Sequence, residues 1–194
     1  KALQLVNKLI HQLSPVATSS NANEHKFATK LTELPDIQVF SERVICILGQ
    51  NASCMTLQGT NTYLVGTGKK RLLIEAGEGI ESYIPILTRA MKENGVESLQ
   101  GIICTHWHSD HIKGIPSVRK AFGQHIPIYK YESKTRDESL DVAFTSIKDK
   151  EVFKCEGATL IAHHTPGHTD DHIVLELKEE KAIFTGDCIL GEGS

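Results

Sequence analysis

Apolar residues recur with two different periods along the chain, and these periods predict both strands and helices. Helical spacing of apolar residues predicts helices over 80–94 and 115–122, the first with Pro85 in its opening turn and Asn94 and Gly95 at its end. Alternating or continuous apolar runs predict strands at 37–40, 43–48, 60–65, 71–76, 99–104, 126–129, 152–153, 158–164, 173–177 and 182–185. Strands dominate, so we expect an α+β fold in which two sheets pack face to face with helices outside.

Two stretches of the pattern predict segments outside this core. Residues 1–33 combine an amphipathic run over 1–13 with a small, polar stretch over 17–24, which predicts an N-terminal helix and a flexible linker. That helix could be a targeting or partner-docking element, or could pack peripherally on the domain, which we place at 34–194. Residues 130–139 are charged and predict an exposed, mobile loop. Its cations Lys130, Lys134 and Arg136 could reach substrate phosphates, but the acidic residues among them favour a solvated loop.

Length and composition place the chain among ordinary globular proteins. Its 194 residues suffice for one buried core, and a net charge of -3 provides no basic surface for tight binding to duplex nucleic acid. The five cysteines are scattered and odd in number, which is typical of reduced thiols inside a cell. No apolar run approaches the roughly 20 residues that a membrane span needs, so we expect no membrane association. The oligomeric state is unknown from the sequence.

The densest chemistry lies directly after the apolar run 99–104, where His106, His108, Asp110 and His111 fall within six positions. Imidazole and carboxylate are ligands of Zn²⁺ and similar cations. Because alternate residues of an extended loop point the same way, His106 and His108 can bind one metal while Asp110 and His111 reach a second. Four ligand-type residues at a strand end make a set of ordinary surface histidines the weaker interpretation.

Two later residues could complete these sites. His168 lies in a Thr-Pro-Gly-His-Thr turn after a strand, and Asp187 lies in a Thr-Gly-Asp-Cys turn after another. The two carboxylate oxygens of Asp187 can bridge two cations. Each residue alone could be only a turn residue, but their shared placement at strand ends favours convergence with the cluster. His172, at the start of a strand, could also face the site, although a satisfied polar strand end is the commoner role.

The motif His-x-His-x-Asp-His at 106–111, with the spacing to His168 and Asp187, resembles the signature of the metallo-β-lactamase superfamily. Segments 56–68, 165–172 and 184–193 extend the resemblance over the whole predicted domain. The branch that they resemble most is the mitochondrial β-lactamase-like endoribonuclease family. The resemblance implies an αββα sandwich, an intracellular and mitochondrial location, and single-stranded RNA as the substrate.

The resemblance also implies a pair of zinc ions. His106, His108 and His168 would hold one zinc, and Asp110, His111 and the bridging Asp187 would hold the other. A hydroxide between the two metals would be the nucleophile, oriented by Asp110 as the catalytic residue.

Two departures from the family pattern qualify this expectation. Glu75 stands where the family usually has an aspartate that orients a ligand histidine, and its extra methylene could displace that support. The family's last metal-binding histidine and its C-terminal region would lie beyond position 194. We therefore expect a domain truncated at the C-terminus, and a 194-residue chain that is weakly active or inactive by itself.

Two alternatives to the endoribonuclease remain open. The same metal pair activates water equally well for a thioester, as in hydrolases of the glyoxalase II kind. The Glu75 departure also allows a non-catalytic metal-binding protein. Hydrolysis of β-lactams is the least favoured activity, because the superfamily name describes a fold and a metal centre but not this substrate.

Overall fold

A computed structural model describes residues 32–137 and 142–190, and these form two packed β-sheets with helices on one side. The larger sheet has seven strands in chain order, and the smaller has four in the order β11-β10-β9-β8. The strands are β1 Ile37–Val39, β2 Val44–Leu48, β3 Asn61–Val65, β4 Lys70–Ile74, β5 Ser98–Ile103, β6 Ile128–Tyr131, β7 Thr145–Ile147, β8 Val152–Cys155, β9 Ala158–His164, β10 Ile173–Leu177 and β11 Ala182–Phe184.

Three α-helices lie in the described residues, and all of them precede residue 123. They are α1 Tyr83–Glu93, α2 Ser109–Ile112 and α3 Ile115–Phe122. A buried cluster that includes Leu87 and Val118 joins α1 and α3 to the larger sheet. A second cluster, with Ile103 and Leu175 at its centre, fills the space between the two sheets. The described residues therefore form a helix layer and two sheet layers, which confirms the α+β prediction.

Strand pairing in the larger sheet changes direction at β4. Strands β1 to β4 pair antiparallel, whereas β4 to β7 pair parallel. Parallel strands need crossover connections, and α1 provides one between β4 and β5 while α3 lies between β5 and β6. The carboxyl ends of β4 and β5 thus lie at the same sheet edge, and the residues that follow them meet there.

Most of the predicted elements are confirmed, including α3 with its predicted bounds and α1 with Pro85 in its first turn. The prediction of an exposed loop at 130–139 was wrong at its start. Lys130 lies in β6 and is only 2% exposed, because the alternation of β6 turns it inward, where acidic side chains compensate its charge. The short strand β7 was not predicted. The predicted N-terminal helix and linker fall on residues that, up to 31, lie outside the described part.

Backbone hydrogen bonds join the two sheets at the sheet edge where β5 ends. The Ile173 N–H of β10 donates to the Thr105 carbonyl of the segment after β5, at 2.9 Å. The Ala76 N–H, just past β4, donates to the His111 carbonyl of α2, also at 2.9 Å. These contacts bring the histidine-rich segment against both sheets. Among the described residues, no helix is long and apolar enough to cross a membrane.

Candidate metal centre

Four of the predicted ligands converge from three segments of the chain. His106 and His108 follow β5, His168 lies in the turn between β9 and β10, and Asp187 follows β11. One ligand atom from each of the four lies within 4.8 Å of every other. His168 Nε2 is 2.9 Å from His108 Nδ1 and 3.4 Å from Asp187 Oδ2. The structure thus brings together residues that are up to 81 positions apart, from 106 to 187.

The other two predicted ligands lie on the opposite side of the Asp187 carboxylate. His111 Nε2 is 3.1 Å from Asp110 Oδ2 and 3.3 Å from Asp187 Oδ1. Asp187 Oδ2 points the other way, 3.8 Å from His106 Nε2. The two oxygens of Asp187 therefore face two separate groups of ligand atoms. This is the arrangement that a carboxylate bridging two cations requires.

The geometry and the donor atoms fit metal ions. Ligand atoms about 2.1 Å from a tetrahedral zinc ion lie about 3.4 Å from one another, which is close to the separations within both groups. The buried nitrogen His106 Nε2 has no hydrogen-bond partner within the described part of the chain. Buried polar atoms are usually hydrogen-bonded, so this nitrogen fits the role of a metal ligand. The assignment of each ligand to a particular metal stays a prediction.

Charge at the site matches what ligands need. Burial, followed by repulsion from His111 and the other neighbouring histidines, keeps the pKa of His106 far below its ordinary value. Burial raises the pKa of Asp110, but its hydrogen bond and attraction to His111 and a bond from Thr60 outweigh this and lower it. His106 is thus neutral and Asp110 ionised at neutral pH, and these are the protonation states in which imidazole and carboxylate bind metals.

His111 is surrounded by negative charge. Burial alone would lower its pKa, yet Glu75, Asp110 and Asp187 together raise it well above the ordinary value. These three carboxylates therefore stabilise one positive charge at this point of the site. A metal cation bound at His111 Nε2 would occupy the same field and replace the proton, so metal binding is expected to release it.

Glu75 supports His111 despite its extra methylene. Its Oε1 lies 3.3 Å from His111 Nδ1, and the carboxylate also accepts the Thr105 backbone N–H at 3.3 and 3.4 Å. The residue is 2% exposed and has a φ of 63°, a left-handed conformation that is uncommon for residues other than glycine. Glu75 thus contacts His111 from a left-handed backbone conformation.

Sequence reasoning missed two hydroxyl groups that fix ligands. Thr60 Oγ1 donates to Asp110 Oδ2 at 2.7 Å. Thr105 Oγ1 lies 3.0 Å from His106 Nδ1, which leaves Nε2 of that ring for a metal. Thr105 adjoins His106 in the sequence, but Thr60 lies 50 positions from Asp110, and nothing in the sequence showed that it would face that carboxylate.

His172 is buried behind the site and holds the turn that carries Asp187. Burial and repulsion from His168 lower the pKa of His172 to about 4, so its ring is neutral. Its Nδ1 lies 2.9 Å from Thr165 Oγ1, and its Nε2 accepts the Asp187 backbone N–H at 3.2 Å. A Cβ at Gly186 would lie 2.8 Å from this nitrogen, and Gly186 has a φ of 48°. The turn therefore requires glycine there.

His163 and His164 take no part in the centre. The Nε2 of His163 lies 2.9 Å from Glu176 Oε2. The ring of His164 stacks on Tyr131 with 4.0 Å between centroids. Both contacts stabilise the smaller sheet or its border with β6.

Two pockets open beside the ligands, on different sides. An apolar-walled cavity of about 240 Å³ lies next to Asp110 and His111, and its walls include Met55, Leu57 and Ile189. A more open pocket of about 430 Å³ borders His168 and is lined by Trp107, Thr135, Arg136, Gly167, Thr169 and Asp170. The two share no lining residue. A substrate lying across the centre would thus meet an apolar surface on one side and an aromatic and charged surface on the other.

Comparison with known sequences gives one family match and many related proteins. Residues 55–193 match the family described as Metallo-beta-lactamase superfamily. An atrochrysone carboxyl ACP thioesterase of Aspergillus novofumigatus is 43% identical over 167 residues, which cover 86% of this chain and 49% of that protein. A lactamase-like protein of Pestalotiopsis microspora is 44% identical over 167 residues, covering 85% and 49% respectively. The chain spans about half the length of the curated relatives that it matches.

Solved structures agree on the fold. A metallo-beta-lactamase from Pontibacter korlensis superimposes with a TM-score of 0.60 at 23% identity, over 77% of this chain and 69% of that one. ETHE1 from Myxococcus xanthus gives 0.53 at 23% identity, over 67% and 53%. At such low identity the likeness concerns the fold alone, which confirms the predicted metallo-β-lactamase sandwich.

The choice of branch made from the sequence needs correction. The superfamily is confirmed, but the similar curated proteins are fungal thioesterases and lactamase-like proteins, not mitochondrial endoribonucleases. These relatives favour the thioester alternative, and they give no support to a nuclease or to a mitochondrial location.

Proposed function

The chain belongs to the metallo-β-lactamase superfamily, and from that premise we propose that it is a metal-dependent hydrolase of thioesters carried on an acyl carrier protein. Hydrolase chemistry follows from the family. The choice of thioester is supported by relatives at 41–43% identity that are named atrochrysone carboxyl ACP thioesterases. The observation on which the proposal rests is the convergence of six ligand-type side chains in a chain of this superfamily. The two oxygens of Asp187 face the two groups of these side chains.

In this proposal the residues of the site would hold two zinc ions. His106, His108 and His168 would hold the first, and Asp110 and His111 would hold the second, with Asp187 available to both. When bound, zinc polarises the thioester carbonyl as a Lewis acid and makes water more acidic.

The side chains around the metals provide position and charge. The Asp110 carboxylate is ionised, and the Thr60 hydroxyl fixes one of its oxygens. It can therefore accept a hydrogen bond from the attacking water and orient it towards the carbonyl carbon. Glu75 holds His111 from behind, and Thr105 holds His106 in the same way. Each ring thereby keeps one nitrogen directed at the centre.

The reaction balances with water as the only co-reactant. The water oxygen forms a bond to the carbonyl carbon and the C–S bond breaks. One water proton passes to the leaving sulfur, which gives a free thiol and a carboxylic acid. The apolar cavity beside Asp110 and His111 offers the acyl part of the substrate a surface that excludes water.

The test compares two substrate classes on zinc-loaded protein of full natural length. An acyl thioester and a single-stranded RNA oligomer are each assayed with and without EDTA. We expect thioester hydrolysis that EDTA abolishes, and no RNA cleavage. Cleavage of RNA alone would overturn the proposal in favour of the endoribonuclease, with single-stranded RNA as its partner. Two bound zinc ions without hydrolysis of either substrate would favour the non-catalytic alternative.

A further inference from the structure

The open pocket on the His168 side holds a cation close to the reacting centre. The guanidinium carbon of Arg136 lies 4.8 Å from the centre of the Trp107 ring. The Trp107 ring in turn lies 4.4 Å from the His108 ring, in an edge-on arrangement. Arg136 is exposed and Trp107 is half-buried. An unbroken series of contacts thus runs from a predicted metal ligand to a guanidinium at the mouth of the site.

The loop that carries Arg136 is hydrogen-bonded to the turn that carries His168. Ser133 Oγ donates to Asp170 Oδ1, and the Lys134 N–H donates to Asp170 Oδ2, both at 2.8 Å. Asp170 lines the pocket as well, but these two bonds engage both of its oxygens. Part of its negative charge is therefore compensated, and the two bonds connect the loop to the His168 turn.

The buried Lys130 also connects the Arg136 loop with the His168 turn. Lys130 Nζ donates to Asp171 Oδ2 at 2.8 Å and lies 2.8 Å from Asp137 Oδ1. Asp171 belongs to the His168 turn and Asp137 to the Arg136 loop. Because Lys130 is held in β6, both loops are fixed relative to the sheet. The segment that carries Arg136 is therefore linked to β6 and to the His168 turn.

Resting on the proposed function, we propose that this pocket binds the phosphate end of the thiol arm of the substrate. The arm of an acyl carrier protein is a phosphopantetheine, an amide chain with a thiol at one end and a phosphate at the other. A guanidinium can bind a phosphate through two parallel hydrogen bonds, and an indole offers the amide chain a flat apolar surface.

This proposal sets the direction of the substrate across the metals. The acyl group lies in the apolar cavity beside His111, and the sulfur leaves towards His168 and Trp107. The two pockets share no lining residue, so the acyl group and the arm would be recognised by separate parts of the protein.

The test compares paired thioesters of the same acyl group. One pair member is the thioester of pantetheine 4′-phosphate and the other is the thioester of pantetheine, which lacks the phosphate. For zinc-loaded protein of full natural length we expect a higher kcat/KM for the phosphorylated member. Arg136→Met should lower the ratio of the two kcat/KM values by about 10-fold or more, and Arg136→Lys should lower it less. Arg89→Met, which removes an exposed arginine of α1, is the matched control and should leave the ratio unchanged.

A binding measurement gives a second readout. Free pantetheine 4′-phosphate is titrated into zinc-loaded protein of full natural length by calorimetry, and Arg136→Met should raise its Kd by about 10-fold. Coenzyme A presents the same phosphopantetheine, so thioesters of coenzyme A and of a carrier protein are both assayed. Loss of kcat/KM on both in Arg136→Met supports the pocket, and the better wild-type substrate identifies the natural source of the arm.

The outcomes separate the two proposals. If the wild type hydrolyses none of the pantetheine, coenzyme A and carrier-protein thioesters, the proposed function fails. If it hydrolyses both pantetheine thioesters with the same kcat/KM, or if Arg136→Met keeps the wild-type ratio and Kd, the phosphate pocket is wrong while the thioesterase stands.

Discussion

At the scale of single residues, the carboxylate of Glu75 supports the candidate metal centre, although Glu75 is not one of the predicted metal ligands. Glu75 stands 3.3 Å from His111 Nδ1 in a left-handed backbone conformation, with almost no solvent contact. The sequence raised the question whether its extra methylene would displace the histidine. The geometry shows that the carboxylate reaches the ring, so we expect Glu75 to support metal binding.

Glu75→Gln tests this support. The amide cannot carry the negative charge that holds His111, so zinc affinity should fall by about 10–100-fold. The measurement is a zinc titration against a chromophoric chelator. Glu97→Gln, which removes an exposed carboxylate paired with Lys69, is the control. Equal zinc affinity in Glu75→Gln and wild type would show that the contact with His111 does not contribute to metal binding.

The cysteines allow a second prediction at the residue scale. Burial raises the pKa of the Cys46 thiol to about 12, and it raises that of Cys104 well above the ordinary value. At pH 8 only about 1 in 10⁴ of a thiol with a pKa of about 12 is thiolate, the reactive form. Cys54 and Cys188 are exposed, so iodoacetamide should modify these two and spare Cys46 and Cys104. Peptide mass spectrometry reads the outcome, with urea-unfolded protein as the fully labelled reference, and rapid labelling of native Cys46 would contradict the described core.

At the scale of elements, β6 shows that a local sequence pattern can fail to predict whether a charged residue is buried. Its charged residue Lys130 led to the prediction of an exposed loop, because charged side chains seldom lie in cores. The structure instead buries the ammonium group against Asp171 and Asp137, from segments 41 and 7 positions away. Nothing near Lys130 in the sequence identifies the more distant partner. The strand was predicted at 126–129, but the burial of Lys130 depends on a turn that lies 41 positions further along the chain.

Lys130→Met should therefore destabilise the fold strongly. The substitution removes the partner of a fully buried carboxylate, and breaking a buried pair in this way costs about 3–5 kcal/mol. Urea unfolding measures the change in the free energy of unfolding. Lys154→Met, at an exposed position of β8, should change it by less than about 0.5 kcal/mol. The double variant Lys130→Met, Asp171→Asn should recover part of the loss, since it removes the unpaired charge, and no recovery would argue against a charge effect.

At the scale of the whole molecule, the candidate centre joins the two sheets. His106, His108 and His111 follow a strand of the larger sheet, whereas His168 and Asp187 lie in segments that follow strands of the smaller sheet. Metal ions held by both sets would link the layers at one edge. Because the ligands meet only in the folded state, metal binding contributes directly to the stability of the sandwich.

Removal of metal should thus lower the melting temperature. At a free zinc concentration of about 100 times Kd, binding stabilises the native state by about 2.7 kcal/mol, which corresponds to about 5–10 °C in a domain of this size. Calorimetry of zinc-loaded and EDTA-treated protein measures the difference. His168→Ala, which removes one ligand, should show a smaller shift on adding zinc. An unchanged Tm in wild type with and without zinc would contradict a metal link between the sheets.

The sequence by itself determined those features that depend on neighbours along the chain. The amphipathic spacing in 80–94 and 115–122 predicted α1 and α3, since the side chains of a helix repeat every 3.6 residues. The density of ligand-type residues at 106–111 predicted a metal centre. The family could be inferred because its motif is itself local, although the branch could not, since different branches share that motif.

Only the tertiary structure decided which side chains meet across the molecule. It oriented the two Asp187 oxygens towards separate ligand groups, brought Glu75 behind His111, and placed Arg136 over Trp107. Each of these contacts joins segments that are distant in sequence. The packing of the two sheets sets the distances to Asp187, whereas the pairing of neighbouring strands in the larger sheet sets the other two. Local periodicity specifies the direction of a side chain within its own element, but it does not identify the residues that this side chain contacts in other elements.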